Sequence, residues 1–143
     1  MKNYMKKIIL LFLVVSLFGC SKDKFNNNNP FIPNRGFSVV VNLNLPTYSS
    51  LQFAGNSVYV NDFNAGIRGV IVFNTGGAFL AYDAACPNQV LSSCSTLELN
   101  GIMAKCPCDD AEYNLFTGQS PGLQYPLKQY RVEVSGTLIT IYN

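Results

Sequence analysis

Apolar and polar residues alternate along several short segments of this chain. Between residues 39 and 45, valine and leucine at the odd positions alternate with Val40, Asn42 and Asn44. A period of two residues is typical of a half-buried β-strand. Residues 58–60 form a second short apolar segment, and residues 97–104 form another. No segment after the N-terminal apolar run has a sustained helical stripe, so the pattern predicts strands throughout.

Two pairs of apolar segments flank turn sequences. Residues 70–73 and 78–82 lie on either side of Asn74-Thr75-Gly76-Gly77, and residues 131–134 and 138–142 flank Ser135-Gly136-Thr137. Glycine accepts the positive φ that tight hairpin turns require. Short strands separated by glycine, proline and asparagine predict an all-β protein, a small sandwich or barrel of antiparallel strands.

The N-terminus has the pattern of a secretory signal peptide. Three lysines precede an apolar run at residues 8–18, which is too short to span a bilayer comfortably. The run ends at Gly19-Cys20, which resembles the cleavage site of bacterial lipoproteins. That resemblance implies a signal peptide over residues 1–19 and a lipid on Cys20. The alternative is an ordinary signal peptide with an incidental cysteine.

Residues 20–36 have little apolar surface to bury. They include four consecutive asparagines, residues 26–29, together with Pro30 and Pro33. Such a composition predicts a flexible tether between the lipid on Cys20 and a single domain over residues 37–143. We therefore expect a protein held to a bacterial membrane by its N-terminal lipid, facing the periplasm or the cell surface.

The net charge gives no sign of a nucleic-acid partner. The 143 residues carry a formal charge of +2, but Lys2, Lys6 and Lys7 belong to the predicted signal peptide. Without them, seven basic residues face eight acidic ones. No basic run or stripe is present, so we expect no nucleic acid; a partner, if one binds, would be another envelope protein.

Two cysteine motifs carry the most specific chemistry. The first is Cys86-Pro87-Asn88, and the second is Cys106-Pro107-Cys108-Asp109. They resemble the ligand loops C-x-H and C-x-x-H of Rieske iron–sulfur domains, with both histidines replaced. The chain contains no histidine at all, which also excludes Ser-His-Asp and Cys-His catalysis. We expect no catalytic residues and a non-enzymatic protein.

The resemblance to Rieske domains continues beyond the cysteines. It includes the hairpin before Cys86, the segment Tyr113-Asn114-Leu115-Phe116-Thr117-Gly118, the loop Ser120-Pro121-Gly122 and the return Pro126-Leu127-Lys128-Gln129-Tyr130-Arg131-Val132. It covers about residues 38–143. It implies a Rieske-like fold of short antiparallel strands with the two cysteine loops at one tip.

Asn88 and Asp109 stand where the family has its histidine ligands. An amide oxygen is a weak donor and a carboxylate is a hard, charged one, whereas a Rieske iron uses imidazole. We therefore expect no cofactor and a degenerate cluster site. The alternative is an electron-transfer protein with an atypical [2Fe–2S] cluster held by Cys86, Cys106 and Asp109, with Asn88 as a further candidate.

Besides Cys20, four cysteines remain, and an oxidising compartment favours disulfides. Three connectivities are open from the count alone. The Rieske resemblance implies Cys94–Cys108, although Leu91 holds the position that matches the family spacing. The ligand cysteines, which sit side by side in the family, would then form Cys86–Cys106. A thiol–disulfide redox protein, in which the Cys86–Cys106 bridge cycles, is a further alternative.

Two other kinds of metal site would draw on the cysteines or on nearby acidic residues. An all-thiolate zinc site would use the four cysteines, but the spacing of Cys106 and Cys108 is poor for zinc and oxidation competes. The acidic residues Asp109, Asp110 and Glu112 could attract calcium, although such a run is more often a solvated loop. We expect no metal, and a structural or binding module of the cell envelope.

Overall fold

The computed structural model of the protein describes residues 27–143. The predicted signal peptide and the predicted lipidation site Cys20 lie outside the described residues. Within residues 27–143 the chain forms nine strands and one 3-10 helix. The strands are β1 (Ser38–Asn42), β2 (Ser57–Val60), β3 (Val70–Asn74), β4 (Phe79–Asp83), β5 (Glu98–Asn100), β6 (Met103–Lys105), β7 (Glu112–Asn114), β8 (Gln129–Ser135) and β9 (Leu138–Tyr142). The prediction of an all-β protein is confirmed.

Six strands form the larger sheet, in the order β1-β9-β8-β4-β3-β2, and every neighbouring pair is antiparallel. The predicted hairpins are present as β3–β4 and β8–β9. Their turns contain Gly76 and Gly136, whose φ angles of 95° and 60° lie in the left-handed region that glycine accepts without strain. The smaller sheet has the order β5-β6-β7.

Strand β3 separates two apolar clusters. Val70 and Val72 point into one cluster, whereas Ile71 and Phe73 point into the other, and all four side chains are fully buried. Side chains alternate between the faces of a strand, so a strand covered on both faces reads as a continuous apolar run. The second cluster lies against the smaller sheet and contains Cys86 and Cys106 among its buried members.

Two local predictions differ from the structure. The strand predicted at residues 39–45 ends at Asn42, because the side chain of Asn42 accepts a hydrogen bond from the backbone N–H of Asn44 and turns the chain. A 3-10 helix, Pro46–Gln52, follows, and its short polar sequence has no apolar period that would predict it. Proline in the first helical turn removes one of the backbone N–H groups that would have no partner within the helix.

The second half of the predicted tether packs on the domain. Ile32 is fully buried, and Phe31 makes an edge-to-face contact with Tyr125. The side-chain amide of Asn29 donates to the carbonyl of Pro87 at 2.8 Å. One buried isoleucine and side-chain hydrogen bonds therefore hold a segment whose polar composition predicted flexibility. The packed part of the chain begins before residue 37.

No helix among the described residues is both long enough and apolar enough to cross a membrane.

Candidate functional site: the cross-linked cysteine loops

The two cysteine motifs lie in loops that leave strands of different sheets. The first loop joins β4 to β5, and the second joins β6 to β7. The backbone N–H of Cys86 donates to the carbonyl of Ser95 at 3.0 Å, which closes the first loop. In the second loop, the N–H of Cys106 donates to Ala111 at 2.8 Å. Each motif is therefore held by a backbone hydrogen bond within its own loop.

A left-handed residue closes the tip of the second loop. Asp110 has a φ of 58°, a conformation that aspartate and asparagine tolerate better than most residues. Its backbone N–H donates to the carbonyl of Cys106 at 2.9 Å, and its carboxylate lies 2.7 Å from Lys105 Nζ. The ammonium group of Lys105 lowers the pKa of Asp110. Both side chains are solvent-exposed, so this ion pair contributes little to stability.

Two disulfides join the loops. Cys86 is bonded to Cys106, and Cys94 is bonded to Cys108, with Cα–Cα distances of 5.7 and 5.2 Å. This is the connectivity that the resemblance implied. The Cys86–Cys106 bridge lies in the second apolar cluster, where its residues are 1% and 0% exposed. Cys94 is exposed and Cys108 is half-buried, so the two bridges differ in access to solvent.

The side chain of Asn88 is bonded on both of its polar atoms. Its amide nitrogen donates to the hydroxyl of Tyr113 at 2.9 Å and to the carbonyl of Tyr125 at 2.7 Å. Its oxygen accepts from the backbone N–H of Tyr125 at 2.9 Å. Asn88 therefore ties the first cysteine loop to the proline-rich loop before β8. Burial raises the pKa of Tyr113, so its hydroxyl stays protonated at neutral pH.

Asp109, the second residue at a histidine position, has a local partner. Its carboxylate accepts a hydrogen bond from the backbone N–H of Ala111 at 3.1 Å, and the side chain is exposed. The structure thus brings Cys86 and Cys106 together, whereas Asn88 bonds to Tyr113 and Tyr125 and Asp109 bonds within its own loop. Among residues 27–143, no three histidine, cysteine, aspartate or glutamate side chains are placed to hold a metal ion.

One hydrogen bond to the buried Cys86–Cys106 disulfide was not predicted from the sequence. The amide nitrogen of Gln89 donates to Cys106 Sγ at 3.1 Å. Gln89 directly follows Asn88, so two adjacent residues of the first cysteine loop bond to other segments. Gln89 bonds to Cys106, and Asn88 bonds to Tyr113 and Tyr125. No pattern in the sequence indicates this contact, because the two residues meet only when the loops are folded together.

A buried carboxylate behind the first loop was also missed. Asp83 accepts hydrogen bonds from Tyr130 Oη and the backbone N–H of Ile67, both at 2.6 Å, and from Ala85 N–H at 2.7 Å. Burial, and then the charge of Asp83, raise the pKa of Tyr130. The available signal was an acidic residue at the end of an apolar strand, immediately before Ala84-Ala85-Cys86. Asp83 therefore holds the base of the loop to the start of β8.

The donor set does not fit a Rieske cluster. Such a cluster needs two thiolates on one iron and two imidazoles on the other. In this arrangement, the sulfurs of Cys86 and Cys106 are bonded to each other and carry no thiolate charge. Asn88 turns toward Tyr113 and Tyr125, and Asp109 faces solvent. Cys86, Cys106 and Asn88 connect separate segments of the chain, whereas Asp109 accepts a hydrogen bond within its own loop.

Comparisons with known proteins support the fold. A scan with protein-family profiles and a search of curated sequences both found no match. Among solved structures, the chain is similar to one from a complex of reduced oxygenase and oxidised ferredoxin in carbazole 1,9a-dioxygenase, with a TM-score of 0.50 and 24% identity over 76% of this chain and 94% of that one.

The chain is also similar to the plasma membrane Rieske protein PetC3 of the cyanobacterium Synechocystis, with a TM-score of 0.51 and 23% identity over 72% of this chain and 97% of that one. A third similar structure is the apo form of the quaternary ammonium Rieske monooxygenase CntA, with a TM-score of 0.51 and 10% identity over 78% of this chain and 34% of that one. These structures confirm the prediction of a Rieske-like fold.

Proposed function

We propose that this protein is a lipid-anchored, non-enzymatic module of the bacterial cell envelope. Its Rieske-like domain holds two disulfides in place of an iron–sulfur cluster and acts as a structural or binding unit. The anchor is a lipid on Cys20, and the domain faces the periplasm or the cell surface.

The observation that carries this proposal is the bond between Cys86 and Cys106. A thiolate binds iron through the lone pairs of a reduced, negatively charged sulfur, whereas the two sulfurs of a disulfide are oxidised and carry no such charge. Cluster insertion would first require two electrons to break a bond buried in the second apolar cluster. It would also require Asn88 to give up its hydrogen bonds to Tyr113 and Tyr125.

The cysteines and the N-terminus together support the proposed compartment. Disulfides persist in the periplasm and at the cell surface, whereas the cytosol keeps most thiols reduced. All four cysteines between residues 27 and 143 are paired. An N-terminal signal with Gly19-Cys20 would deliver the chain to such a compartment and leave it attached to the membrane.

An electron-transfer function is the second candidate, favoured by the likeness to a ferredoxin complex and to a Rieske protein. It requires the reduced form of both Cys86 and Cys106, with Asp109 as an oxygen ligand. A thiol–disulfide redox function is less well supported, because a partner thiol must reach a sulfur and the residues of this bridge are 1% and 0% exposed.

One purification separates the candidates. The full chain is expressed with its own N-terminus, extracted from membranes in detergent without reductant, and assayed for visible absorption, iron, sulfide and free thiols. The proposal predicts a colourless protein without iron, sulfide or free thiols. Iron and sulfide in equal amounts, with visible absorption, would establish the electron-transfer candidate instead.

The anchor has a separate test. Cys20→Ala removes the only side chain that the predicted modification can use, so the protein should move from the membrane fraction to the soluble fraction. Ser21→Ala keeps Cys20 and should stay with the membrane. Membrane association of both variants would contradict the anchor while leaving the disulfide proposal intact.

A further inference from the structure

The chain enters the domain at a fixed point. The carbonyl of Asn27 accepts a hydrogen bond from Lys128 Nζ at 2.8 Å, and the same nitrogen donates to Asn34 Oδ1 at 2.6 Å. Lys128 is only 2% exposed, so this junction lies inside the domain. Two residues later, Asn29 donates to the carbonyl of Pro87 in the first cysteine loop. The first described residues are therefore held at the end of the domain that carries the cysteine loops.

The proposed anchor limits how far this end can lie from the membrane. Cys20 precedes Asn27 by seven residues. A fully extended chain covers at most ~3.6 Å per residue, so the distance between the two residues cannot exceed about 25 Å. A domain of this size is wider than that distance. The end that contains Asn27 must consequently face the membrane surface or lie close beside it.

The same end carries two unusually exposed apolar side chains. Phe63 is 89% exposed and Val90 is 75% exposed, the highest values for large hydrophobic residues within residues 27–143. The ring of Phe63 lies beneath Arg35, whose guanidinium carbon is 6.0 Å from the ring centroid. Arg35 follows Asn34, the partner of Lys128. Val90 lies three residues beyond Pro87, the partner of Asn29.

Two arginines flank these apolar residues. Arg35 and Arg68 line one cleft together with Phe63, and Arg68 donates a hydrogen bond to the carbonyl of Ser92, two residues after Val90. Asp62 is the acidic residue of this cleft. Exposed aromatic and aliphatic side chains beside arginines match the boundary between lipid headgroups and acyl chains, where arginine meets anionic headgroups.

We infer that this end of the domain rests on the lipid surface that holds the anchor, with Phe63 and Val90 in the headgroup region. The inference depends on the proposed lipidation of Cys20. The membrane is the partner that we infer for Phe63 and Val90, because the short chain between Cys20 and Asn27 brings these side chains to the lipid without any other component. The opposite end of the molecule faces away from the membrane.

The absence of tryptophan from the sequence allows a clean test. Phe63→Trp places one fluorophore on the proposed surface, and Phe53→Trp is the matched control. Phe53 is 68% exposed, precedes β2 and therefore lies at the opposite end of this strand from Phe63. Each full-length, lipidated variant is reconstituted into phosphatidylcholine–phosphatidylglycerol vesicles, with and without brominated phosphatidylcholine, which quenches tryptophan on contact.

The inference predicts a blue-shifted emission and several-fold stronger quenching for the Phe63→Trp variant than for the Phe53→Trp variant. Val90→Trp should behave like Phe63→Trp. Equal quenching of all three, or no quenching in vesicle-bound protein, would overturn the inference and leave the anchor standing. A blue shift without bromine quenching would assign the surface to a protein contact. Failure of the variants to remain with the vesicles would remove the anchor and this inference together.

Discussion

Asn88 connects two loops through three hydrogen bonds of one side-chain amide. Both amide hydrogens of Asn88 are donated and its oxygen accepts from the backbone N–H of Tyr125, so binding a metal would compete with these bonds. Metal ligation from this position would require the bonds to Tyr113 and Tyr125 to be broken. The residue thus has a structural role at a position that resembles a ligand position in sequence.

We predict that Asn88→Ala lowers the free energy of unfolding by about 1–3 kcal/mol, because it leaves the buried hydroxyl of Tyr113 without its amide partner. Urea unfolding measures this change. The exposed Asn61 provides the control, since Asn61→Ala should change stability by less than about 0.5 kcal/mol. Equal effects of the two substitutions would contradict the structural role of Asn88.

Tyr82 makes the stability of the protein depend on pH in alkaline solution. Its hydroxyl donates to the carbonyl of Leu115 at 3.1 Å, and burial raises its pKa from 10.0 to about 12. A raised pKa means that the folded state holds its proton more tightly than the unfolded state. The stabilisation is therefore complete below pH 10 and is lost as the pH rises toward 12.

Replacing Tyr82 with phenylalanine should remove part of this alkaline loss. Burial lowers the pKa of Lys128, so this residue acts in the opposite direction and is present in both proteins. The difference between wild type and Tyr82→Phe, measured by urea unfolding at a series of pH values, isolates the tyrosine. Parallel stability curves between pH 10 and 12 would contradict the assignment.

At the scale of elements, residues 27–36 are a packed part of the domain. Ile32 is fully buried, and the side chain of Asn29 accepts from the N–H of Phe31 while donating to Pro87. We predict that Ile32→Ala costs about 2–5 kcal/mol, as large-to-small substitutions in a core do. Ile102→Ala makes the same chemical change at a residue that is 43% exposed and should cost several-fold less in thermal or urea unfolding.

The two disulfides differ in their accessibility to solvent. Cys94 is exposed and hydrogen-bonds with Ser92, whereas Cys86 and Cys106 are buried. Thiol–disulfide exchange requires the attacking thiolate to reach a sulfur, so mild reductant should open Cys94–Cys108 first. Alkylation followed by peptide mass spectrometry identifies the opened pair. Earlier labelling of Cys86 and Cys106 would show that the buried bridge is the reactive one.

The sequence predicted those elements whose signals are local. The β3–β4 and β8–β9 hairpins could be predicted because glycines occupy turns that need positive φ. The packing of Ile32 could not, because one isoleucine in a polar segment has no periodic neighbours. The partners of Asn88 lie 25 and 37 residues away, so only the folded chain reveals them. The packing of Ile32 and the hydrogen bonds of Asn88 could therefore not be predicted from the sequence.

At the scale of the whole molecule, the disulfides close loops between the two sheets. Cys86 follows β4 of the larger sheet, and Cys106 follows β6 of the smaller one, at a sequence separation of 20. Closing a loop of this length is worth about 3 kcal/mol in the chain-entropy estimate. A Rieske domain uses metal–ligand bonds to join the corresponding loops. The fold thus retains a cross-link at this place, formed by sulfur–sulfur bonds.

The state of Cys86 and Cys106 in the protein taken directly from cells is the most direct test of this account. Cells are lysed at low pH, which prevents thiol–disulfide exchange, in the presence of a thiol-blocking reagent. The protein is then digested and analysed by mass spectrometry. The account predicts a peptide pair joined through Cys86 and Cys106, without alkylation of either residue. Alkylated Cys86 and Cys106, accompanied by iron and sulfide in protein isolated anaerobically, would contradict it.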